Sequence, residues 1–141
     1  MSSQNFKESS NYEELINILK FQDNGLIPVI VVEHKTKDIL MFAYMNKDAL
    51  YNTLKTGKMT YYSRSRKKLW IKGETSGNYQ LVKRVLVDCD GDVLLFYVEQ
   101  KGVACHTGHY SCFYREYDPN SKEIKEISPV IIDPKELYKN S

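Results

Sequence analysis

The sequence predicts an α+β fold: a compact, mixed but largely antiparallel twisted sheet carrying two or three short helices. Three observations lead there. Apolar, β-branched runs are short and come in pairs around tight polar turns, as at Leu26–Val32 and Ile39–Met45. Helical periodicity is confined to brief segments, the clearest following Asn46. Strands and helices do not alternate regularly, which argues against a doubly wound parallel sheet.

In chain order, residues 1–10 are polar and expected to be loose. A short helix follows, with Asn11 and Glu14 as a capping pair and Leu15, Ile16, Leu19 and Phe21 as its apolar side. Asp23-Asn24-Gly25 ends it. Leu26–Val32 reads as a buried strand, with Pro28 near its start, where a missing N–H is tolerated. His34–Asp38 is a turn and Ile39–Met45 the returning strand. Asn46 is the predicted N-cap of a second helix, whose Ala49, Leu50, Thr53 and Leu54 share one face and whose C′ residue is Gly57. Lys58–Ser63 and Leu69–Lys72 are predicted strands joined by Arg66-Lys67-Lys68. After a Gly/Ser/Thr loop at 73–78, Tyr79–Asp88 and Val93–Glu99 read as two strands joined at Asp90-Gly91. Lys101–Ser111 is expected to be a loop and Cys112–Tyr117 a short strand. Asp133-Pro134 is an N-cap and N1 pair for a last helix through Tyr138.

A length of 141 residues suits one domain with a real core. A formal net charge of +2 gives no general nucleic-acid or membrane surface. No apolar run approaches the roughly 20 residues that span a bilayer. The first residues lack the apolar core of a signal peptide, so a reducing, cytoplasmic setting is expected. There, an odd number of cysteines points to thiols or metal rather than disulfides.

All three cysteines fall in two segments, Asp88-Cys89-Asp90-Gly91-Asp92 and Cys105-His106-Thr107-Gly108-His109-Tyr110-Ser111-Cys112. Three thiolates plus water would satisfy a catalytic zinc, although no C-x2-C pair is present and incidental buried thiols are common. In an extended chain Asp88, Asp90 and Asp92 would project from one face and Cys89 from the other. Carboxylates so grouped repel unless a cation joins them, and magnesium is the natural guest. A solvated turn is the bland alternative. An EF-hand is excluded, because Val93 stands where that loop needs glycine and the flanks read as strands. With Cys89 facing away from the carboxylates, a symmetric dimer would let it reach the partner's Cys105 and Cys112. His106 and His109 are candidate ligands or proton carriers, against the plainer reading of hydrogen-bonded loop histidines.

Residues 63–78 concentrate cations, hydroxyls and glycines around Trp70, a composition suited to phosphate. The cluster is short and has no counterpart elsewhere in the chain. A small phosphorylated ligand therefore fits better than a nucleic-acid polymer.

Taken together, these stretches resemble the phosphoribosyl-AMP cyclohydrolases. The matching residues are Asn24-Gly25-Leu26-Ile27-Pro28, Leu40–Asn46, Ser63-Arg64-Ser65-Arg66, Leu69–Asn78, Asp88–Asp92, Ala104–Gly108 and Ser111-Cys112-Phe113. They run in the family's order over about residues 21–115, which the resemblance makes the cyclohydrolase domain (21–117). Residues 1–20 are then an N-terminal extension and 118–141 a tail without assigned function. The resemblance implies the third step of histidine biosynthesis: a zinc-activated water adds at C6 of the N1-ribosylated adenine and the N1–C6 bond opens. It implies zinc on Cys89, Cys105 and Cys112, with Cys89 from the partner of an intertwined homodimer, and magnesium on Asp88, Asp90 and Asp92. His106 is the candidate proton carrier, and Arg64, Arg66, Trp70, Lys72, Thr75 and Ser76 are candidate substrate contacts. Val103 and His109 depart from the family's usual residues. The chain is too short for the fused pyrophosphohydrolase found in many bacterial members, so a separate enzyme would supply the substrate. The competing expectation is a non-catalytic zinc module that binds nucleotide or RNA through Arg64–Lys72. A thiol redox protein is disfavoured by the missing C-x-x-C.

Overall fold

The structure is a computed structural model and describes residues 9–131. It contains helix α1 (Ser9–Ile18), strands β1 (Ile27–Glu33) and β2 (Ile39–Met45), helix α2 (Lys47–Thr56), and strands β3 (Thr60–Ser63), β4 (Lys68–Ile71), β5 (Gln80–Val87), β6 (Leu94–Gln100), β7 (Arg115–Asp118) and β8 (Glu123–Glu126). Four strands form one sheet in the order β2-β1-β6-β5, and β3-β4 and β7-β8 are separate hairpins. The expected α+β class holds. The sheet is mixed because β1 and β6 run parallel at its centre while the other pairings are antiparallel. Among the described residues, no helix is long and apolar enough to cross a membrane.

The core follows the period-2 rule. Ile27, Val29 and Val31 of β1 and Leu94, Phe96 and Val98 of β6 point to the same side and are fully buried. Met45, Ala49, Leu50, Met59 and Tyr61 close over them, with Ile16 and Leu19 from the α1 region. Helix α2 is bounded by local chemistry. The Asn46 side chain accepts from the Ala49 N–H, and Gly57 ends the helix at φ 78° with its N–H on the Thr53 carbonyl.

A register shift in the β1–β2 pair is where the fold meets the site. Val31 pairs with Met41 and Val32 with Ile39, so Leu40 is the extra residue of a bulge. Its carbonyl turns out of the ladder and accepts from the Cys112 N–H at 2.7 Å. Ser111 Oγ donates to the Ile39 carbonyl at 2.6 Å. The cysteine loop is thus docked on an irregularity of β2.

Several expectations require correction. Helix α1 begins at Ser9, so Asn11 lies within it rather than capping it. The β3–β4 turn occupies residues 64–67, with Lys67 at φ 56°, and Lys68 belongs to β4. Residues 112–114 are not strand; β7 starts at Arg115 and pairs with β8, which was not foreseen. The helix expected after Asp133 lies outside the described residues.

Glu33 at the end of β1 is only 8% exposed, yet both carboxylate oxygens are occupied. One accepts the Lys35 N–H at 2.8 Å and the other the Gln100 N–H at 2.9 Å. Burial raises its pKa, but the two backbone donors, with His34 and Lys35 nearby, outweigh this and hold it below the usual glutamate value. The folded state therefore binds this proton more weakly than the unfolded one. The stabilisation is complete above the ordinary glutamate range and is lost as pH falls through the folded value. Denaturant unfolding of wild type and Glu33→Gln should differ by about 1.5–3 kcal/mol at neutral pH, and the gap should close on acidification.

Candidate metal centre and substrate cleft

The loop from Val103 to Cys112 is built to bring two sulfurs together. Ala104 N–H donates to the Tyr110 carbonyl at 2.9 Å, Cys105 N–H to His109 at 3.2 Å and Gly108 N–H to Cys105 at 3.0 Å. Asn78 Oδ1 fixes the loop's start by accepting the Val103 N–H at 3.1 Å. With Cys112 held by the Leu40 carbonyl, the two thiols interact directly. Cys112 lies at the surface as a residue, but its thiol is pushed up to about 12, by burial first and then by the charge and hydrogen bond of Cys105. Two thiols placed to repel as thiolates are a pair that a soft cation could join.

Lys72 stands beside them. It is 6% exposed, and its ammonium donates to the Ala104 carbonyl at 2.6 Å. Burial lowers its pKa, and the nearby Cys112 and Cys105 partly offset this. It thus feels the charge of both thiols and also reaches the wall of the cleft.

The aspartate segment is not extended. Asp88 Oδ1 accepts the N–H groups of Asp92 at 3.0 Å and Val93 at 3.3 Å, and the Asp88 carbonyl accepts the Gly91 N–H at 3.1 Å. The result is a tight turn, so strand alternation does not set the direction of Cys89. The carboxylates nevertheless stay together. Slight burial raises Asp88, but hydrogen bonds from Asp92 and from the turn's backbone outweigh it and lower its pKa. The Asp88 hydrogen bond, then burial and the charges of Asp88 and Asp90, raise Asp92. Cys89 is exposed, with Sγ 3.6 Å from Asp90 Oδ1. Among the described residues, no three His, Cys, Asp or Glu side chains converge on a metal position within the one chain.

A cleft of about 810 Å³ opens against the Cys112 side of this centre. Its walls include Arg66, Trp70, Lys72, Thr75 and Ser76 from the predicted contact set, together with His106 and Cys112. Ser63, Ser65 and Lys68, which were not singled out, line it as well. Arg64 is not among the lining residues; its guanidinium lies 4.2 Å from the centre of the Tyr44 ring. Trp70 is 39% exposed and leans on Tyr61 at 5.3 Å, so it presents one face to the cleft region while its other contacts are core. Sequence reading also missed Thr107, whose hydroxyl lies 2.9 Å from Cys105 Sγ. Its only sequence signal was its place between Cys105 and His109.

A family model described as phosphoribosyl-AMP cyclohydrolase matches residues 41–114, which contain the cysteine loop, the aspartate turn and all of the cleft residues named above. The phosphoribosyl-AMP cyclohydrolase of Chloroherpeton thalassium is 46% identical, over 96% of this chain and 97% of that protein. That of Methanoregula boonei is 53% identical over 85% of this chain and 94% of its own length. The histidine biosynthesis bifunctional protein HisIE of Thermoanaerobacter pseudethanolicus is 55% identical over 89% of this chain, which spans only 57% of that longer protein. The match covers the site as well as the scaffold, and the chain belongs to the phosphoribosyl-AMP cyclohydrolase family.

Proposed function

We infer that the chain catalyses the hydrolytic opening of the adenine ring of phosphoribosyl-AMP, as a metal-dependent cyclohydrolase of histidine biosynthesis. The observation that carries the reading is the cleft itself. It is cationic and hydroxyl-rich along Ser63–Ser76 and ends against Cys112, whose thiol is paired with that of Cys105, all within the family-matched residues.

The substrate has a phosphate ester at each end and an N1-ribosylated, cationic purine between them. Arg66 and Lys68, with the hydroxyls of Ser65, Thr75 and Ser76, supply the donors that phosphate needs. Trp70 offers an aromatic face to the base. Cys105 and Cys112, with Cys89 of the partner subunit, would hold zinc, a fit supported by two paired thiols in one chain and an exposed third thiol elsewhere on its surface. Zinc there supplies a Lewis acid and a water acidic enough to react near neutral pH. Lys72 balances the excess negative charge of a three-thiolate site. His106, exposed on the cleft wall, delivers a proton to N1 as the N1–C6 bond breaks. Asp88, Asp90 and Asp92 share one turn without converging on a single point, and would offer magnesium a few carboxylates, with waters and a substrate phosphate completing its shell. This arrangement makes the working unit a homodimer.

Turnover in ¹⁸O-labelled water tests the reaction. One labelled oxygen should appear in the carboxamide of the ring-opened product, as seen by mass spectrometry. A folded, metal-loaded protein that leaves phosphoribosyl-AMP unchanged, or a product with no label, refutes the reading.

A further inference from the structure

His109 is a buried residue in the site loop that the reaction does not use. It is 3% exposed, and its ring lies flat on Tyr114, with centroids 3.5 Å apart and planes within 8°. Both of its nitrogens are occupied. Nδ1 is 2.7 Å from Thr107 Oγ1, which in turn is 2.9 Å from Cys105 Sγ. Nε2 is 3.4 Å from Glu126 Oε1 on β8. The backbone runs alongside this chain of contacts. His109 forms a bridge with Val130, Ile131 N–H donates to the Gly108 carbonyl at 2.9 Å, and Ile127 N–H to Tyr114 at 2.8 Å. The segment carrying β7 and β8 is therefore knitted to the cysteine loop by main chain and side chain together.

We propose that Thr107 and His109, anchored by Glu126, are positioning residues for Cys105, orienting its sulfur for the metal through a directional chain of hydrogen bonds. The proposal rests on the reading of Cys105 as a metal ligand. Direction follows from the donors available. A metal-bound thiolate has lone pairs only, so the single hydroxyl proton of Thr107 must point at Cys105 Sγ. Thr107 Oγ1 is then left as an acceptor, so His109 must present Nδ1–H to it, and the Nε2 that meets the Glu126 carboxylate must carry a proton as well, since a carboxylate only accepts. Glu126 and the Tyr114 ring hold the imidazole in that pose. The thiolate thus receives a fixed donor whose geometry is set by the β7–β8 hairpin, giving this segment a part in the metal site. Outer contacts of this kind typically change metal affinity by about 10- to 100-fold.

The test uses the full chain as the dimer, with zinc affinity measured by competition against a chromophoric chelator and the thiolate-to-cobalt absorption band recorded after Co²⁺ loading. Thr107→Val, which keeps the side-chain shape, should weaken zinc binding about tenfold and shift the cobalt band, while Thr107→Ser should restore both to within about threefold. His109→Phe, which keeps the stack on Tyr114, should weaken binding severalfold. Because His109 reaches the sulfur only through Thr107, the double variant should bind no more weakly than Thr107→Val alone. Glu126→Ala, a change at an exposed carboxylate, should move the cobalt band towards that of His109→Phe and keeps the test open should the phenylalanine variant not fold. Wild-type affinity and an unshifted cobalt band in Thr107→Val, or additive losses in the double variant, overturn the proposal. If Cys105→Ser itself retains wild-type zinc affinity, the ligand reading beneath the proposal fails instead, which separates the two.

Discussion

Co-refolding a Cys89→Ser chain with an equal amount of a Cys105→Ser chain should restore about a quarter of wild-type turnover, although each variant alone is inactive. The arithmetic comes from symmetry. Random pairing makes about half of the dimers mixed, and each mixed dimer has one site with Cys105, Cys112 and the partner's Cys89 all intact. Its other site lacks two ligands. If instead each site drew all its ligands from one chain, every site would lack a thiol whatever its partner, and mixing would restore nothing. The expectation rests on two facts about the single chain. Cys105 and Cys112 meet, whereas Cys89 is exposed on a separate turn and no three-ligand cluster forms among the described residues. Turnover of phosphoribosyl-AMP by the mixture, against each variant alone, decides it.

Gly91→Ala should destabilise the fold by about 2–5 kcal/mol, whereas Gly57→Ala should cost only about 1 kcal/mol. Both glycines have positive φ, 76° and 78°, so the backbone penalty is common to them. Their surroundings are not. A Cβ at Gly57 meets nothing within 4 Å, while one at Gly91 would sit 2.3 Å from the Ile18 carbonyl oxygen. That oxygen belongs to the end of α1 and cannot move freely, because Lys20 N–H is bonded back to the Gly91 carbonyl at 2.7 Å. Relief would require α1 to lift or the aspartate turn to shift, and the turn carries Asp88, Cys89, Asp90 and Asp92. Gly91→Ala should therefore also weaken zinc binding, and Gly57→Ala should not. Urea unfolding of the three proteins checks the stability claim.

What could be read from the sequence was what local chemistry decides. The bounds of β2 followed from an apolar run framed by polar turns. Those of α2 followed from Asn46 and Gly57, whose preferences for cap positions are intrinsic. The aspartate segment misled because alternation assumes an extended chain. There a side chain, Asp88, captured two backbone N–H groups and closed a turn instead. Strand β8, Glu-Ile-Lys-Glu, has almost no apolar signal; it exists because Lys122 adopts φ 63° and folds it back onto β7. Among the candidate site residues, the cysteines and carboxylates stood out by type. Lys72 did not reveal its position, since burial beside thiols depends on how the hairpin β3–β4 packs under the Ala104 loop. Nor did the Thr107–His109 contact, whose loop shape is set by a bulge at Leu40, some seventy residues away in sequence.

The most direct test is reconstitution. The protein is stripped with a chelator, and turnover of phosphoribosyl-AMP is followed by ultraviolet absorbance while zinc is added back stepwise in the presence of magnesium. Turnover should be absent at the start and rise to a plateau at about one zinc per chain, as expected for one three-thiolate site per subunit. Full turnover by the metal-free protein, or none at saturating zinc in a protein that remains folded, would contradict the account.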